Sequence, residues 1–423
     1  MEENNVNNHQ EDSTLAPNDH RRLGKELGLF TFSNLVGSGL PIWLPKGATV
    51  RRILERYITD TELAWGYEHV YTPDIAKLDL YKTSGHYPYY KDSMYAPILI
   101  DDHEFMLRPM TCPHHFQLYA DKPRSYRELP MRIAELAKLY RYEGSGELAG
   151  LVRVRSFCLA DAHIICKDKE QASAEVGQAL NLIEHMASVF GLSLGKDYSY
   201  RLSLGDRSNE EKYYKNDAAW EESEELLRSV LNSREGSFVE ATDEAAFYGP
   251  KIDIQMTDVR GKENTAFTVQ YDFCMPDRFD MTYIDSDNQE KRPIVIHRSS
   301  IGAIERVMAF LIEKYEGAFP LWLAPVQISV LPVSEKFITE AETIHKILVD
   351  SGIRAELDAS SESLGKRIRA SKTSKVPYQL VLGEKEIESG NLTLEGRDDE
   401  KVPATSIHEA VEFLSKKIKE KTL

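Results

Sequence analysis

The segment from Arg132 to Cys166, RIAELAKLYRYEGSGELAGLVRVRSFCLADAHIIC, constrains the fold more than any other part of the chain. Two apolar runs flank a glycine-bearing stretch, and Arg141, Arg153 and Arg155 crowd into and beside that stretch. Runs of this length and composition read as two strands joined by a loop. The strand pair supplies a rigid base, and the loop holds planar guanidinium groups whose fork matches pairs of phosphate oxygens. The arrangement predicts a polyphosphate site, with ATP as the first candidate.

Composition narrows the setting. A chain of 423 residues has room for two to three domains and a large core. No apolar run reaches the length of a membrane span, since Leu321 to Val333 is broken by Pro325 and Pro332. The N-terminus lacks a basic head and an apolar run, so no secretory signal is visible. Met1 to about Asn18 has almost nothing to bury and is expected to be disordered. Four cysteines without a pairing pattern suit a reducing compartment, which points to the cytoplasm. A net charge of -16 argues against indiscriminate nucleic-acid binding, whose affinity comes from neutralised phosphates. A specific RNA remains open, because Lys366, Arg367, Arg369, Lys372 and Lys375 form a local basic cluster. Lys416, Lys417, Lys419 and Lys421 read more simply as a solvated helix face.

Two further segments share the order of the first. Downstream, Pro293 to Ile296 reads as a short strand, and Ile304, Val307, Met308, Leu311 and Ile312 fall at the spacing of a one-sided helix. Gly302 permits a tight approach between them, and Arg306 sits in the first turns. Upstream, Val50, Ile53, Leu54, Tyr57 and Ile58 make one helical face that Gly66 ends, and a strand beginning at His69 to Tyr71 is closed by Pro73. An isolated Arg-x-Glu is ordinarily a solvated ion-pair former, and an isolated amphipathic helix is commonplace. In this order the three segments resemble motifs 1, 2 and 3 of the class II aminoacyl-tRNA synthetases. The resemblance implies an α/β, more narrowly α+β, catalytic domain built on an antiparallel sheet flanked by helices. It also implies Arg141 on the α-phosphate, Glu143 on the adenine amino group, Phe157 stacked on adenine, and Arg306 at the γ-phosphate. Arg153 and Gln270 would join them at the ATP, which would carry Mg2+. Motif 1 would make the chain a homodimer.

The pattern changes at LWLAPVQISVLPVSEK. Beyond it, Val326 to Val330, Ile353 to Leu357, Tyr378 to Leu382 and Asn391 to Leu394 read as strands. Helices are expected through Phe337, Ala341, Ile344 and Leu348, around Ile368, and after Ser406, where Glu409 completes a capping box. Alternating strands and helices over about a hundred residues make a small α/β domain with a mixed sheet. It resembles the anticodon-binding domain of synthetases for threonine, proline, glycine and histidine, in which Glu388 and Arg397 would contact the anticodon. The expected layout is a polar tail over 1–20, a catalytic domain over 21–323 and an anticodon-binding domain over 324–423.

Three residues far apart in sequence, Cys112, His163 and His297, bear on the amino acid. Local spacing gives a poor metal signal, and each alone reads as a buried structural residue. Each lies beside a class II motif, however, and the threonyl branch of the family holds zinc with one cysteine and two histidines at these places. The resemblance then implies L-threonine and tRNA(Thr) as substrates, with zinc taking the amino and hydroxyl groups. Asp161 would bond the hydroxyl, Met110, Tyr248 and Lys251 would line the pocket, and His86 would act as general base in transfer to tRNA. Larger relatives add N-terminal domains that remove serine from mischarged tRNA. Motif 1 begins here near residue 46, so the expectation is a chain without them that mischarges serine and relies on a separate editor or tolerates the error. Thr111, His114, Cys158, Leu159 and Ala160 depart from the better-known bacterial pattern. Leu159 replaces a pocket glutamine, and His114 and His115 admit an alternative metal ligand. The competing readings are a seryl- or prolyl-tRNA synthetase and a non-catalytic, tRNA-binding paralogue. The first two do not match the Cys-His-His set as well, and the last commonly lacks an ATP-gripping arginine.

Overall fold

The computed structural model describes residues 15–398 and 400–423, so the expected disordered tail lies mostly outside the described residues. The chain forms two compact units. One consists of Phe32–Pro41 and Glu55–Ala309, the other of the described residues up to Thr31, Ile42–Leu54 and Phe310–Leu423.

The first unit is built on eight strands. In chain order they are Glu68–His69 (β1), Met131–Tyr140 (β2), Ser156–Cys166 (β3), Tyr198–Leu204 (β4), Phe238–Thr242 (β5), Lys251–Thr257 (β6), Glu263–Asp272 (β7) and Ile294–Ala303 (β8). They lie side by side as β5-β4-β6-β7-β8-β3-β2-β1. The inner pairs are antiparallel, but the outer pairs β5–β4 and β2–β1 are parallel. The sheet is therefore mixed where the sequence predicts an antiparallel one. The connections explain the difference: β2–β3 and β6–β7 are direct antiparallel neighbours, whereas β5 follows β4 only after the helix Asp217–Asn232, and a crossover returns the chain in the same direction.

The hairpin expected from Arg132 to Cys166 is present, with β2 and β3 paired along their length and residues 141–155 between them. The helix Lys169–Val189 packs across β8, β7 and β3. The Asp168 carboxylate caps it by accepting from the Gln171 N–H at 2.8 Å, and Val176, Ala179, Leu180 and Ile183 are fully buried. β8 runs well past the expected Ile296 to Ala303, through a register shift after Ser299. Gly302 is required there: its φ is +70°, and a Cβ would stand 1.9 Å from the Ala266 carbonyl oxygen. The helix Ile304–Lys314 follows at once. Upstream, Val50, Leu54 and Ile58 of the helix Pro45–Ala64 are fully buried, as their spacing predicts. β1 is shorter than expected, although the Val70 N–H still pairs with the Ala134 carbonyl at 2.9 Å.

The second unit carries a five-stranded sheet of Ile328–Pro332 (β9), Ala355–Leu357 (β10), Tyr378–Leu382 (β11), Leu392–Gly396 (β12) and Lys401–Ala404 (β13). Its order is β10-β9-β11-β12-β13, parallel among the first three and antiparallel thereafter, so it is mixed as expected. The sequence misses β13 and the short helix Glu384–Ser389. The capping box at the last helix is half formed: Ser406 Oγ accepts from the Glu409 N–H, but the Glu409 carboxylate takes the N–H of Thr405 instead of Ser406. Among the described residues no helix is long and apolar enough to cross a membrane.

Candidate active site

Sheet register brings together what sequence spacing separates. Lys251, Gln270, His297 and His163 stand opposite one another in a single row across β6, β7, β8 and β3. The neighbouring row on the same face holds Thr268, Ser299, Asp161 and Glu135. A cavity of about 650 Å³ opens on this face, lined also by His86, Met110, Cys112 and Tyr248. At its other side stand Arg141, Glu143, Arg153, Phe157 and Arg306. The residues to which the resemblance gives roles in ATP, amino-acid or metal binding thus meet in one cavity, whereas Arg155, the third arginine of the predicted phosphate site, does not line it.

One end of the cavity is a donor cluster. Cys112 begins the helix Cys112–Tyr119, and its Sγ and one ring nitrogen from each of His163 and His297 all lie within 4.8 Å of one another. Burial, followed by the Asp161 and Asp272 carboxylates, pushes the Cys112 thiol well above its usual range, so holding it as thiolate calls for a bound cation. Burial and then the neighbouring His297 and His115 push His163 well down, which favours the neutral imidazole that a metal binds. His297 Nε2 donates to Asp272 Oδ2 at 2.7 Å, and Asp272 Oδ1 accepts from the Cys274 and Met275 N–H groups at 2.9 Å each. His163 Nδ1 lies 2.8 Å from Nδ1 of His115. One thiol and two imidazoles, each imidazole hydrogen-bonded through its other nitrogen, fit a zinc site that leaves coordination open. His114, the remaining alternative ligand, instead faces the Tyr81 ring at 6.2 Å and is outside the cluster.

Other pocket residues have defined partners. Tyr248 stacks on the His297 ring at 4.9 Å and donates from its hydroxyl to Gln270 Oε1 at 2.5 Å. Gly249 allows this turn to close, because a Cβ there would stand 1.8 Å from the Tyr271 carbonyl oxygen. Lys251 is ion-paired with the buried Asp253. Asp161 has its carboxyl pushed up by burial, an effect that His115 and His297 oppose. His86 Nδ1 is 2.8 Å from Ser84 Oγ and its Nε2 is 3.9 Å from Cys112 Sγ. Burial, then the charges of His297, Arg278 and Arg141, push His86 down to about 3, so its imidazole is neutral.

The other end is cationic. Arg141 lies over the Phe157 ring at 5.1 Å and donates from Nε to the Pro109 carbonyl at 3.3 Å. Arg306 donates to the carbonyls of Val152, at 3.0 Å, and Thr265. Burial, then the like charges of Arg141 and Arg153, push Arg306 down to about 10, an effect that Glu143 partly opposes. Glu143 accepts from Arg153 Nε at 2.8 Å, and its own carbonyl accepts from Arg155 Nε at 3.0 Å. In the second unit, Glu388 is exposed, whereas Arg397 donates to the carbonyls of Lys375 at 2.9 Å and Phe319 at 2.8 Å. The sequence reading misses Asp272 and Glu135 and does not assign His115 this place behind His163. The one available signal was the Cys112-x-x-His115 spacing, which puts both on one helical face.

Residues 95–315 match the model of the tRNA synthetase class II core domain (G, H, P, S and T), and residues 327–417 match that of an anticodon binding domain. The chain is 47% identical over 402 residues to a threonine–tRNA ligase of Halalkalibacterium halodurans, an alignment covering 95% of this chain and 62% of that protein. It is 50% identical over 396 residues to a threonine–tRNA ligase of Streptococcus pyogenes serotype M2, covering 93% and 61% respectively. The chain therefore spans less than two thirds of the length of these relatives. A crystal structure of the RNA binding domain of threonyl-tRNA synthetase from Cryptosporidium parvum Iowa II superposes with a TM-score of 0.88 at 34% identity, covering 94% of this chain and 98% of that one.

Proposed function

The chain belongs to the class II tRNA synthetases, and from that premise we propose that it activates L-threonine with ATP and transfers it to the 3′ end of tRNA(Thr). The observation that carries the reading is the convergence of Cys112, His163 and His297 in the same cavity as Arg141 and Arg306. In the first step a carboxylate oxygen of threonine bonds to the α-phosphorus of ATP while the bond from that phosphorus to the bridging oxygen breaks and diphosphate leaves. Arg141 stabilises charge at the α-phosphate and Arg306 holds the γ end, so the step is positioning and electrostatics. Mg2+ accompanies the ATP. Phe157 offers the adenine a face and Glu143 an acceptor for its amino group, with Arg153 and Gln270 nearby. In the second step the terminal ribose hydroxyl of tRNA attacks the carbonyl of the adenylate and AMP leaves, with His86 assigned the proton; the bound phosphate must then offset the burial and positive neighbours that disfavour its imidazolium.

Cys112, His163 and His297 would hold zinc, which when bound supplies a Lewis-acid centre with open coordination for the amino and hydroxyl groups of threonine. Asp161 accepts from that hydroxyl, while Met110, Tyr248 and the Lys251–Asp253 pair shape the pocket around the methyl group and amine. A site built to bind a hydroxyl rejects valine by roughly 10⁴–10⁵, whereas serine lacks only a methyl, worth ~1–3 kcal/mol. These 423 residues by themselves should therefore form seryl-tRNA at a measurable rate.

We assign catalysis to residues 21–323 and anticodon binding to 324–423, with Glu388 the freer of the two candidate contacts and Arg397 already engaged with backbone carbonyls. We also assign a homodimer, on motif 1 and on the exposure of Tyr71, Ile98, Leu99 and Ile100, and the cytoplasm, on four cysteines that form no disulfide. Pyrophosphate exchange with threonine, serine, valine and proline, with metal analysis of the same sample, tests the whole reading. Strong exchange with threonine, weaker with serine and none with valine or proline is expected; valine exchanging as fast as threonine would end it.

A further inference from the structure

We propose that His115 and Glu135 form a hydrogen-bonded relay that fixes the tautomer and aim of His163, and so governs how tightly the Cys112–His163–His297 cluster holds its metal. The inference rests on the zinc reading above and deepens it. A histidine that binds a metal presents one bare ring nitrogen and carries its hydrogen on the other. In His163 the nitrogen engaged elsewhere is Nδ1, which faces Nδ1 of His115 at 2.8 Å and leaves Nε2 for the metal. Two ring nitrogens at that separation share one hydrogen. His163 must donate it, so His115 Nδ1 accepts, and the hydrogen of His115 is driven onto Nε2. There Glu135 Oε2 accepts it at 3.3 Å.

The acceptor at the end of the relay is itself held. Thr72 Oγ1 donates to Glu135 Oε2 at 2.7 Å, and Arg108 Nη1 stands 3.0 Å from Oε1. Arg108 in turn donates to Thr72 Oγ1 at 2.6 Å and to the Lys138 carbonyl at 2.7 Å. His115 and Glu135 are 0% and 2% exposed, so water does not replace a bond that is lost. The rings of His115 and His163 meet edge to face, with centroids 4.8 Å apart and planes at 86°, so rotation of either ring breaks the contact. The relay also has a geometric reason. His115 lies one helical turn after Cys112, so the helix that supplies the thiol also supplies the group that orients the first imidazole. His297 needs no such intermediary because Asp272 reaches it directly.

His115 and Glu135 are positioning residues in this scheme. The test uses the full 423-residue chain purified with zinc, and reads zinc content and the rate of zinc transfer to a chromogenic chelator. His115→Phe keeps the ring and deletes the acceptor; it should release zinc about 10–100-fold more readily. The KM for threonine should rise with it while the KM for ATP stays unchanged. His115→Asn, whose side-chain oxygen can accept from His163, should restore most of the retention. Glu135→Gln, with a weaker acceptor, should release zinc several-fold faster, and it serves if the Phe variant does not fold. Zinc retention equal to wild type in folded His115→Phe, or in Glu135→Gln, overturns the relay. Wild-type chain that holds no zinc overturns instead the metal reading beneath it.

Discussion

The two ends of the cavity are built by opposite means. At the cluster end, Cys112, His163 and His297 are 4%, 1% and 6% exposed, and both histidines lean on side chains that are themselves fixed. At the cationic end, Arg141 and Arg306 are held by main-chain carbonyls of Pro109, Val152 and Thr265. A guanidinium gives up a carbonyl readily for a phosphate, with which it forms charge-assisted bonds. A buried imidazole with its second nitrogen engaged has no such freedom. The cluster end is thus finished before the substrate arrives, and the nucleotide end is completed by it. Choice of amino acid should depend on the first and speed of reaction on the second.

The largest effect expected from this contrast is at Cys112. Cys112→Ala removes the one sulfur donor, and the preference for threonine over valine should fall from roughly 10⁴–10⁵ to about tenfold, because a missing hydroxyl then costs little. Competition between the two amino acids in pyrophosphate exchange measures it, and an unchanged ratio would move selection away from the cluster. Arg141→Ala should act in the other sense. Loss of one donor to developing charge slows adenylate formation by about 10²–10³, with the threonine-to-valine ratio left where it was.

His86 tests whether the ends can be separated in time. It touches Cys112 Sγ at 3.9 Å yet takes no part in the cluster of donors. His86→Ala should slow transfer to tRNA by about 10²-fold, in the range of a lost general base, with adenylate formation within a few-fold of wild type. Single-turnover transfer from preformed adenylate reads the first and exchange the second. Equal loss in both steps would remove His86 from its role.

What the sequence disclosed follows the same division. Arg141 was legible from the arginines crowded into an expected hairpin, and Glu143 and Arg306 took their roles from the resemblance carried by the order of the three motifs. The cluster was not locally legible. Cys112, His163 and His297 meet only through the pairing of β8 with β3 and the seating of the helix Cys112–Tyr119, and register is a property of partners, not of spacing. The supporting residues were less legible still: Asp272 and Glu135 read as ordinary strand carboxylates until their hydrogen-bond partners are known. The parallel edges of the large sheet escaped for a related reason, since they depend on what the intervening helices do with chain direction. In the second unit the strands and helices emerged nearly in place, because each is short and bounded by its own punctuation.

The smallest effect should come from Leu159, which stands where the two ends join. It lies on β3 between Phe157 and Asp161, two residues from each, and so shares their face of the strand. It packs with Ala137, Leu139, Val154, Phe157 and Ala303, an apolar floor that offers a hydrogen bond to neither end. Leu159→Gln restores the glutamine of the better-known pattern. The amide would sit near the join between carboxylate and α-phosphate, while its methylene groups keep most of the packing. If the two ends work separately, the KM values for threonine and ATP should each move by less than about tenfold, the scale of one neutral hydrogen bond near 1 kcal/mol. The serine-to-threonine ratio should not move at all, because a neutral amide two residues from Asp161 adds no contact that tells a methyl group from a hydrogen. A change in that ratio would mean that the floor transmits between the ends, and that selection is shared across the cavity instead of residing in the cluster.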